Sequence, residues 1–224
     1  MRHFFDFAQE RVHQFRDRQE AGRQLATPLH KYAHKTGVLV LALPRGGVPV
    51  AYEVARALGA PLDVFVVRKL GLPGYEELAM GAIASGGVMV LNQNVLDHAS
   101  VTREEIDRVA RQETAELRRR ELAFRGHLKP LEISGMAVIL IDDGVATGST
   151  MRAAIGAIRR QNPARLIVAV PVASTEAARD IRDLADEAVI LLTPEDFVAV
   201  GQYYEDFRQT TDEEVRDRLT RAQL

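Results

Sequence analysis

The sequence predicts an α/β fold, a parallel β-sheet flanked by helices, and three observations predict it. Short runs rich in Val, Ile and Leu recur at 38–43, 62–67, 137–141, 166–170 and 188–192, and they do not alternate apolar with polar residues. Unbroken apolar runs of this length are what strands covered on both faces require. Helical stretches at 48–58, 149–160 and 175–184 stand between or beside those runs, and strand alternating with helix implies right-handed crossovers in a parallel sheet. The third observation is size: 224 residues, 46% of them apolar, can bury a substantial core.

The remaining elements follow in chain order. Residues 1–14 read as an N-terminal extension to a single domain spanning 1–224. Ala79–Leu91 holds two β-prone runs about Ser85-Gly86-Gly87, which predicts an inserted hairpin after the second strand. Thr102–Phe124 reads as a long charged helix, opened by a capping box of Thr102 with Glu105 and carrying Glu104/Arg108 and Glu116/Arg120 at i,i+4 spacing. The interleaved Glu residues make Arg118-Arg119-Arg120 a solvated helix face, not a nucleic-acid surface. A second capping box, Thr211 with Glu214, starts a terminal helix.

Composition excludes several classes of function. With 29 Lys and Arg against 31 Asp and Glu, the formal charge of −2 provides no broad basic field, so neither nucleic acid nor an anionic membrane is an expected partner. The chain has no Cys, which removes disulfides and thiolate metal sites and fits a cytoplasmic location. Arg2, Asp6, Glu10 and Arg11 break up the first 15 residues as a signal peptide, and no apolar run is long enough to span a bilayer. His30 and His34 have i,i+4 spacing but no accompanying acid, so a surface helix is the simpler reading than a metal site. Homo-oligomerisation is left open.

The chemistry concentrates after the third strand. A strand over 137–141 delivers Asp142 and Asp143 to the carboxyl edge of the sheet, where open α/β folds bind ligands. Adjacent carboxylates repel, and they are held together at least cost when sugar hydroxyls or a hydrated metal ion lie beside them. Gly144-Val145-Ala146-Thr147-Gly148-Ser149-Thr150 then leads into a helix. Its glycines let backbone approach a ligand, its hydroxyls can donate, and its first amides face outward with the positive end of the helix dipole. A phosphate monoester suits that cradle. Taken singly these residues could form only a turn and a helix cap. As one string after a buried strand they point to a sugar phosphate. Gly144 stands where a haloacid-dehalogenase-like phosphatase needs a second Asp, Ser149 stands where a Walker loop needs Lys, and a receiver domain would not have most of an α/β domain in front of its acid pair.

Leu43-Pro44-Arg45-Gly46-Gly47-Val48-Pro49 forms a second strand-to-helix turn with glycine amides and a planar cation, an arrangement suited to an anion. Arg68 and Lys69 close the 62–67 run, again at the ligand edge. Beyond them, Gly71, Pro73 and Gly74 suggest a lid over 70–81.

Residues 138–150 closely resemble the signature of the type I phosphoribosyltransferases, which bind phosphoribosyl diphosphate (PRPP). The string from Phe15-Arg-Asp-Arg through Pro-Arg-Gly-Gly to Tyr-Tyr-Glu-Asp-Phe extends the similarity, and it resembles a bacterial group of such proteins with uncharacterised activity. The resemblance implies that Asp142 and Asp143 hold the ribose hydroxyls and, directly or through water, Mg²⁺. It implies that 144–150 hold the 5′-phosphate, and that Arg45, Gly46, Gly47, Arg68 and Lys69 bind the diphosphate, with Lys69 counted with the two acids as catalytic. The peptide beside Arg45 can be cis in the family, and 70–81 occupies the position of its mobile loop. Segments 15–36 and 193–210 would build a small hood, with Tyr203 and Tyr204 as candidates to contact a nitrogenous-base acceptor. The implied activity is Mg²⁺-dependent phosphoribosyl transfer from PRPP, and the alternative is a PRPP-sensing regulator. One departure stands out. Ala146 occupies a position where 6-oxopurine enzymes commonly carry an Asp, so the loop looks more like that of adenine phosphoribosyltransferase, and acceptor activation would fall to Glu76 or Glu77 or need no base.

Overall fold

The computed structural model describes residues 14–130 and 132–223; nearly all of the expected N-terminal extension lies outside the described residues. Five parallel strands form the main sheet: β1 (Val38–Ala42), β2 (Leu62–Val64), β6 (Ala137–Ile141), β7 (Arg165–Val172) and β8 (Glu187–Leu192). Their order is β2-β1-β6-β7-β8. Between β1 and β2 runs α2 (Gly47–Leu58), and α5 (Ser149–Arg159) and α6 (Thr175–Leu184) link β6, β7 and β8. Alternate strand residues face opposite layers. Val38, Val40, Ala42, Ile139 and Ile141 pack with α2 residues such as Val54 and Leu58. Leu39, Leu41, Val138 and Leu140 pack with Ile155 and Ile158 of α5 and with Ile181 of α6. Both faces are covered, which is why these strands read as unbroken apolar runs.

The sheet order matters for function. From β1 the chain moves outward to β2, and from β6 it moves the other way to β7 and β8, so the topological switch point lies between β1 and β6. Their register pairs Ala42 with Ile141, so the loops after the two strands emerge side by side at the carboxyl edge.

The 62–67 run is divided, where one strand was predicted. The Phe65 amide still donates to Ala42 O at 2.8 Å, but the Val66 amide donates to Ser85 Oγ at 2.9 Å and Val66 O accepts from the Ser85 amide. Capture by Ser85 turns the chain out of the parallel sheet into a second, antiparallel one of β3 (Val67–Leu72), β4 (Tyr75–Ala84) and β5 (Val88–Leu91). The predicted hairpin is β4–β5, with Gly86 and Gly87 both at positive φ in its turn. The expected lid over 70–81 is also a hairpin. β3 and β4 pair through it, with register shifts around Gly71 and a turn at Pro73-Gly74. A Cβ on Gly71 would lie 2.7 Å from Glu76 O, so glycine permits the irregular pairing there.

Helix α3 (Gln93–His98) leads to α4 (Arg103–Arg125), which carries the predicted Thr102/Glu105 capping box. Buried Arg125 of α4 donates to Asp63 Oδ1, Glu121 Oε1 and Val64 O, and Ser85 Oγ donates to the same Glu121 oxygen, tying the two sheets together at their junction. Helix α7 (Asp212–Arg221) starts with the predicted Thr211/Glu214 box. The chain-end segments build a hood beside the sheet edge: Phe15 bridges Tyr204, and ahead of α1 (Arg18–Leu29) the Asp206 amide donates to Arg16 O. No helix among the described residues is long and apolar enough to cross a membrane.

Candidate functional site

The acid pair and the Pro44–Gly47 loop meet at the switch point. Leu43 N–H donates to Ile141 O at 2.8 Å, continuing the β1–β6 pairing past the strand ends. The peptide between Pro44 and Arg45 is cis. A Cβ on Gly46 would lie 2.0 Å from Asp143 Oδ2, and one on Gly47 would lie 2.9 Å from the Asp142 Cα. Real Cβ atoms do not approach so closely: at Gly47 the obstacle is the facing backbone, and at Gly46 it is the Asp143 carboxylate, which would have to turn aside. Sequence patterns placed these loops on the same edge, and the register makes them one surface.

The acid pair is electrostatically loaded. Asp142 Oδ1 accepts the Asp143 amide at 2.9 Å. Burial, followed by the neighbouring Asp143 carboxylate, pushes the Asp142 carboxyl well above the ordinary aspartate range. Asp143 Oδ2 accepts from Arg18 Nε at 2.7 Å, and the Asp143 backbone carbonyl accepts from Tyr204 Oη at 2.6 Å.

The following loop is fixed from behind and open in front. Val145 pairs with Ala173 as an isolated parallel bridge, and Ser174 Oγ donates to Ala146 O at 2.7 Å. A Cβ on Gly144 would strike the Val200 side chain at 2.5 Å, so Gly144 seats the loop under the hood. Gly148, at φ +73°, caps α5, and its carbonyl takes the first helical hydrogen bond, from Arg152 N–H. By helix geometry the amides of Ser149, Thr150 and Met151 have no partner within the helix. Ala146, Thr147, Ser149 and Thr150 are exposed, and Thr147 and Ser149 hydroxyls lie 3.3 Å apart.

Lys69 shares with Ser149 and Thr150 a cavity of about 590 Å³ between α5 and the antiparallel sheet. Its ammonium donates to Glu77 Oε2 at 3.2 Å. Arg68 and Lys69 do not end a parallel-sheet strand as expected: they sit on β3, because the chain left that sheet at Val66. Adjacent strand residues point to opposite faces, and Arg68 turns to α4, where Nε donates to Glu113 at 2.7 Å. Arg45 pairs with Asp212 at the start of α7, at 3.3 Å.

Tyr203 and Tyr204 are packed into the hood, with 3% and 4% of their surface exposed. Tyr203 stacks on Phe197 and Tyr204 on Phe207. Phe207 is the most exposed of these rings, at 37%, and Phe197 is half-buried. The Arg18 guanidinium lies over the Phe207 ring, 3.9 Å from its centroid, and 5.8 Å from that of Tyr204. Arg18, Ser174 and Asp212 were not singled out from sequence as site residues. Each reaches the site through a contact more than 20 residues away along the chain, and no local pattern marks such a contact.

Among the described residues, no group of three or more His, Cys, Asp or Glu side chains could hold a metal ion. Two carboxylates, one already engaged by Arg18, are too few to enclose Mg²⁺. They fit an ion that keeps part of its water shell and takes other oxygens from a bound ligand.

The phosphoribosyl transferase domain family matches residues 8–208. Two Mycobacterium tuberculosis proteins, from strains H37Rv and CDC 1551, provisionally named phosphoribosyl transferases, are each 46% identical over 208 residues, covering 93% of this chain and 47% of theirs. The chain therefore spans about half the length of these curated relatives. The crystal structure of TT1426 from Thermus thermophilus is similar over 93% of this chain and 98% of that one, at 44% identity and a TM-score of 0.82. With its parallel sheet, its paired loops at the switch point and a family match over most of its length, the chain belongs to the phosphoribosyl transferase domain family.

Proposed function

We propose that the protein transfers the 5-phosphoribosyl group of PRPP to a nitrogenous-base acceptor and releases diphosphate. The observation that carries this reading is the contact of Gly46 and Gly47 with the acid pair. Two glycine-bearing turns in contact at the switch point support a ligand that joins a ribose to phosphate groups. In the reaction the bond from ribose C1 to the diphosphate oxygen breaks, leaving oxocarbenium character at C1, and a bond from C1 to an acceptor nitrogen forms. Asp142 and Asp143 accept the ribose hydroxyls and favour that cationic character. Amides and hydroxyls at 147–150 hold the 5′-phosphate. Amides at Gly46 and Gly47, with Arg45 and Lys69, stabilise the departing diphosphate. When bound, Mg²⁺ supplies further neutralisation of diphosphate and ribose oxygens.

Ala146 offers no carboxylate to take the acceptor's proton, and Glu77 is bound to Lys69. An acceptor that needs no base, or one served by Glu76 or Glu77 after Lys69 turns to diphosphate, fits this arrangement. The same features favour a second reading, a PRPP-sensing regulator, since Arg45 and Arg68 are both held by acids. Diphosphate release from PRPP and Mg²⁺ across a panel of bases separates the two. Turnover with any base supports transfer. Tight PRPP binding without turnover supports the sensor, and ribose 5-phosphate formed without a base supports water as acceptor.

A further inference from the structure

Arg18 stands in an unfavourable place for a cation. It is the first residue of α1, where the helix dipole is positive, and N-cap Asp17 fixes that start by accepting the Glu20 amide. Only 9% of its surface is exposed. A buried charge at that position requires compensation from elsewhere in the fold. The compensation is specific: Nε donates to Asp143 Oδ2 at 2.7 Å, Nη1 donates to Arg208 O at 2.8 Å, and the Phe207 ring lies against the guanidinium plane at 3.9 Å. The side chains of Arg18 and Asp143 are 10% and 14% exposed, so solvent screens the pair far less than a surface ion pair. Helix start, hood carbonyl and aromatic ring together pre-organise one guanidinium on the acid pair.

We infer that Arg18 is a built-in counter-cation of the Asp142–Asp143 pair, a positioning residue that lets PRPP bind with weak dependence on divalent metal. The inference rests on the reading of 142–150 as the ribose-phosphate cradle. Two effects act in the same direction. Without metal, the guanidinium offsets the repulsion between the carboxylates and a polyanionic ligand. With metal, it holds one Asp143 oxygen and repels the incoming dication, so the gain from metal is reduced. Removing the charge should therefore weaken metal-free binding and enlarge the metal effect.

The test is PRPP binding by calorimetry, with excess Mg²⁺ and with chelator, for the wild type, Arg18→Met and Arg18→Lys. Unfolding curves confirm that each variant is folded. We expect the ratio of the two affinities to rise on the order of tenfold in Arg18→Met, as loss of one partly screened charge at contact range implies. Arg18→Lys, which keeps the charge, should return most of the way to the wild-type ratio, and Arg18→Gln, which removes the charge but keeps a donor, takes the place of Arg18→Met if that variant does not fold. A purely structural clamp would weaken binding equally with and without Mg²⁺. An equal ratio in wild type and Arg18→Met, or a Lys variant as metal-dependent as Met, overturns the inference and leaves the proposed function standing. Failure of the wild type to bind PRPP under either condition overturns the cradle reading and the inference with it.

Discussion

The carboxyl edge of the parallel sheet and the antiparallel sheet beside it both contribute candidate site residues, but they position them differently. At the parallel edge the backbone does the placing. Strands β1 and β6 are buried on both faces, their register is continuous, and glycines stand where any Cβ would collide with the opposite loop. In the antiparallel sheet, side chains do the placing. Strand β3 is only partly buried; alternation sends Arg68 and Lys69 to opposite faces, where Glu113 holds Arg68 and the exposed Glu77 meets Lys69. The first region should therefore tolerate almost no change at its contact points. The second should depend on the polar seam that docks it.

That seam provides the largest expected effect. Arg125→Met removes the guanidinium from which Asp63 and Glu121 accept, and we expect a loss of about 3–5 kcal/mol in denaturant unfolding, the usual consequence of breaking a buried ion pair. A loss below about 1 kcal/mol would mean that apolar packing alone docks the antiparallel sheet. Next is Gly46→Ala. Its methyl would overlap Asp143 Oδ2, so the carboxylate must turn off Arg18 or the loop must shift, and PRPP affinity should fall about 100-fold with little change in fold. Equal affinity would show that the two loops act separately. Glu113→Gln releases Arg68 from a partly exposed pair and should cost no more than about 1 kcal/mol. A greater loss would make side-chain pairing in the second sheet as restrictive as the backbone contacts in the first.

The pH response sharpens the same contrast. The folded-state carboxyl of Asp142 is raised above its ordinary value near 3.8, so the native state holds its proton more tightly than the unfolded chain does. Stability from this group is present below that value and is lost as pH rises toward the folded value. Asp142→Asn, which mimics the protonated form, should raise the unfolding midpoint at neutral pH, with the gain shrinking toward pH 4. A lower midpoint at neutral pH would show that the ionised pair is well compensated in the free protein.

The legible part of the molecule was the part in which neighbours in sequence are neighbours in space. The parallel strands, α5, α6, both capping boxes and the Ser85-Gly86-Gly87 turn follow from local burial patterns and local hydrogen bonds. The acid pair and the glycine loop after it were legible as an edge turn running into a helix because one unbroken stretch of sequence carries them. The division of the 62–67 run was not legible, since it depends on Ser85 meeting Val66 from nearly 20 residues away. The hairpin over 70–81 was missed for a similar reason: its glycines and proline look like a loop until β3 pairs with β4, taking Gly71 into a strand and leaving Pro73-Gly74 as the turn. The role of Arg18 was beyond sequence reasoning of this kind: it lies in the Phe15-Arg-Asp-Arg string, but its partner Asp143 is 125 residues away and nothing local marks that contact. The aromatic assignment was only partly legible. Composition places Tyr203, Tyr204 and Phe207 together, but only packing shows that the tyrosines are inside and Phe207 faces out.

The unity of the site at the switch point is tested most directly by calorimetry of PRPP with Mg²⁺ on the double variant Asp142→Asn, Asp143→Asn. We expect no measurable PRPP binding from a protein that keeps its circular dichroism and cooperative unfolding. Wild-type affinity in that folded variant would contradict the assignment of the acid pair.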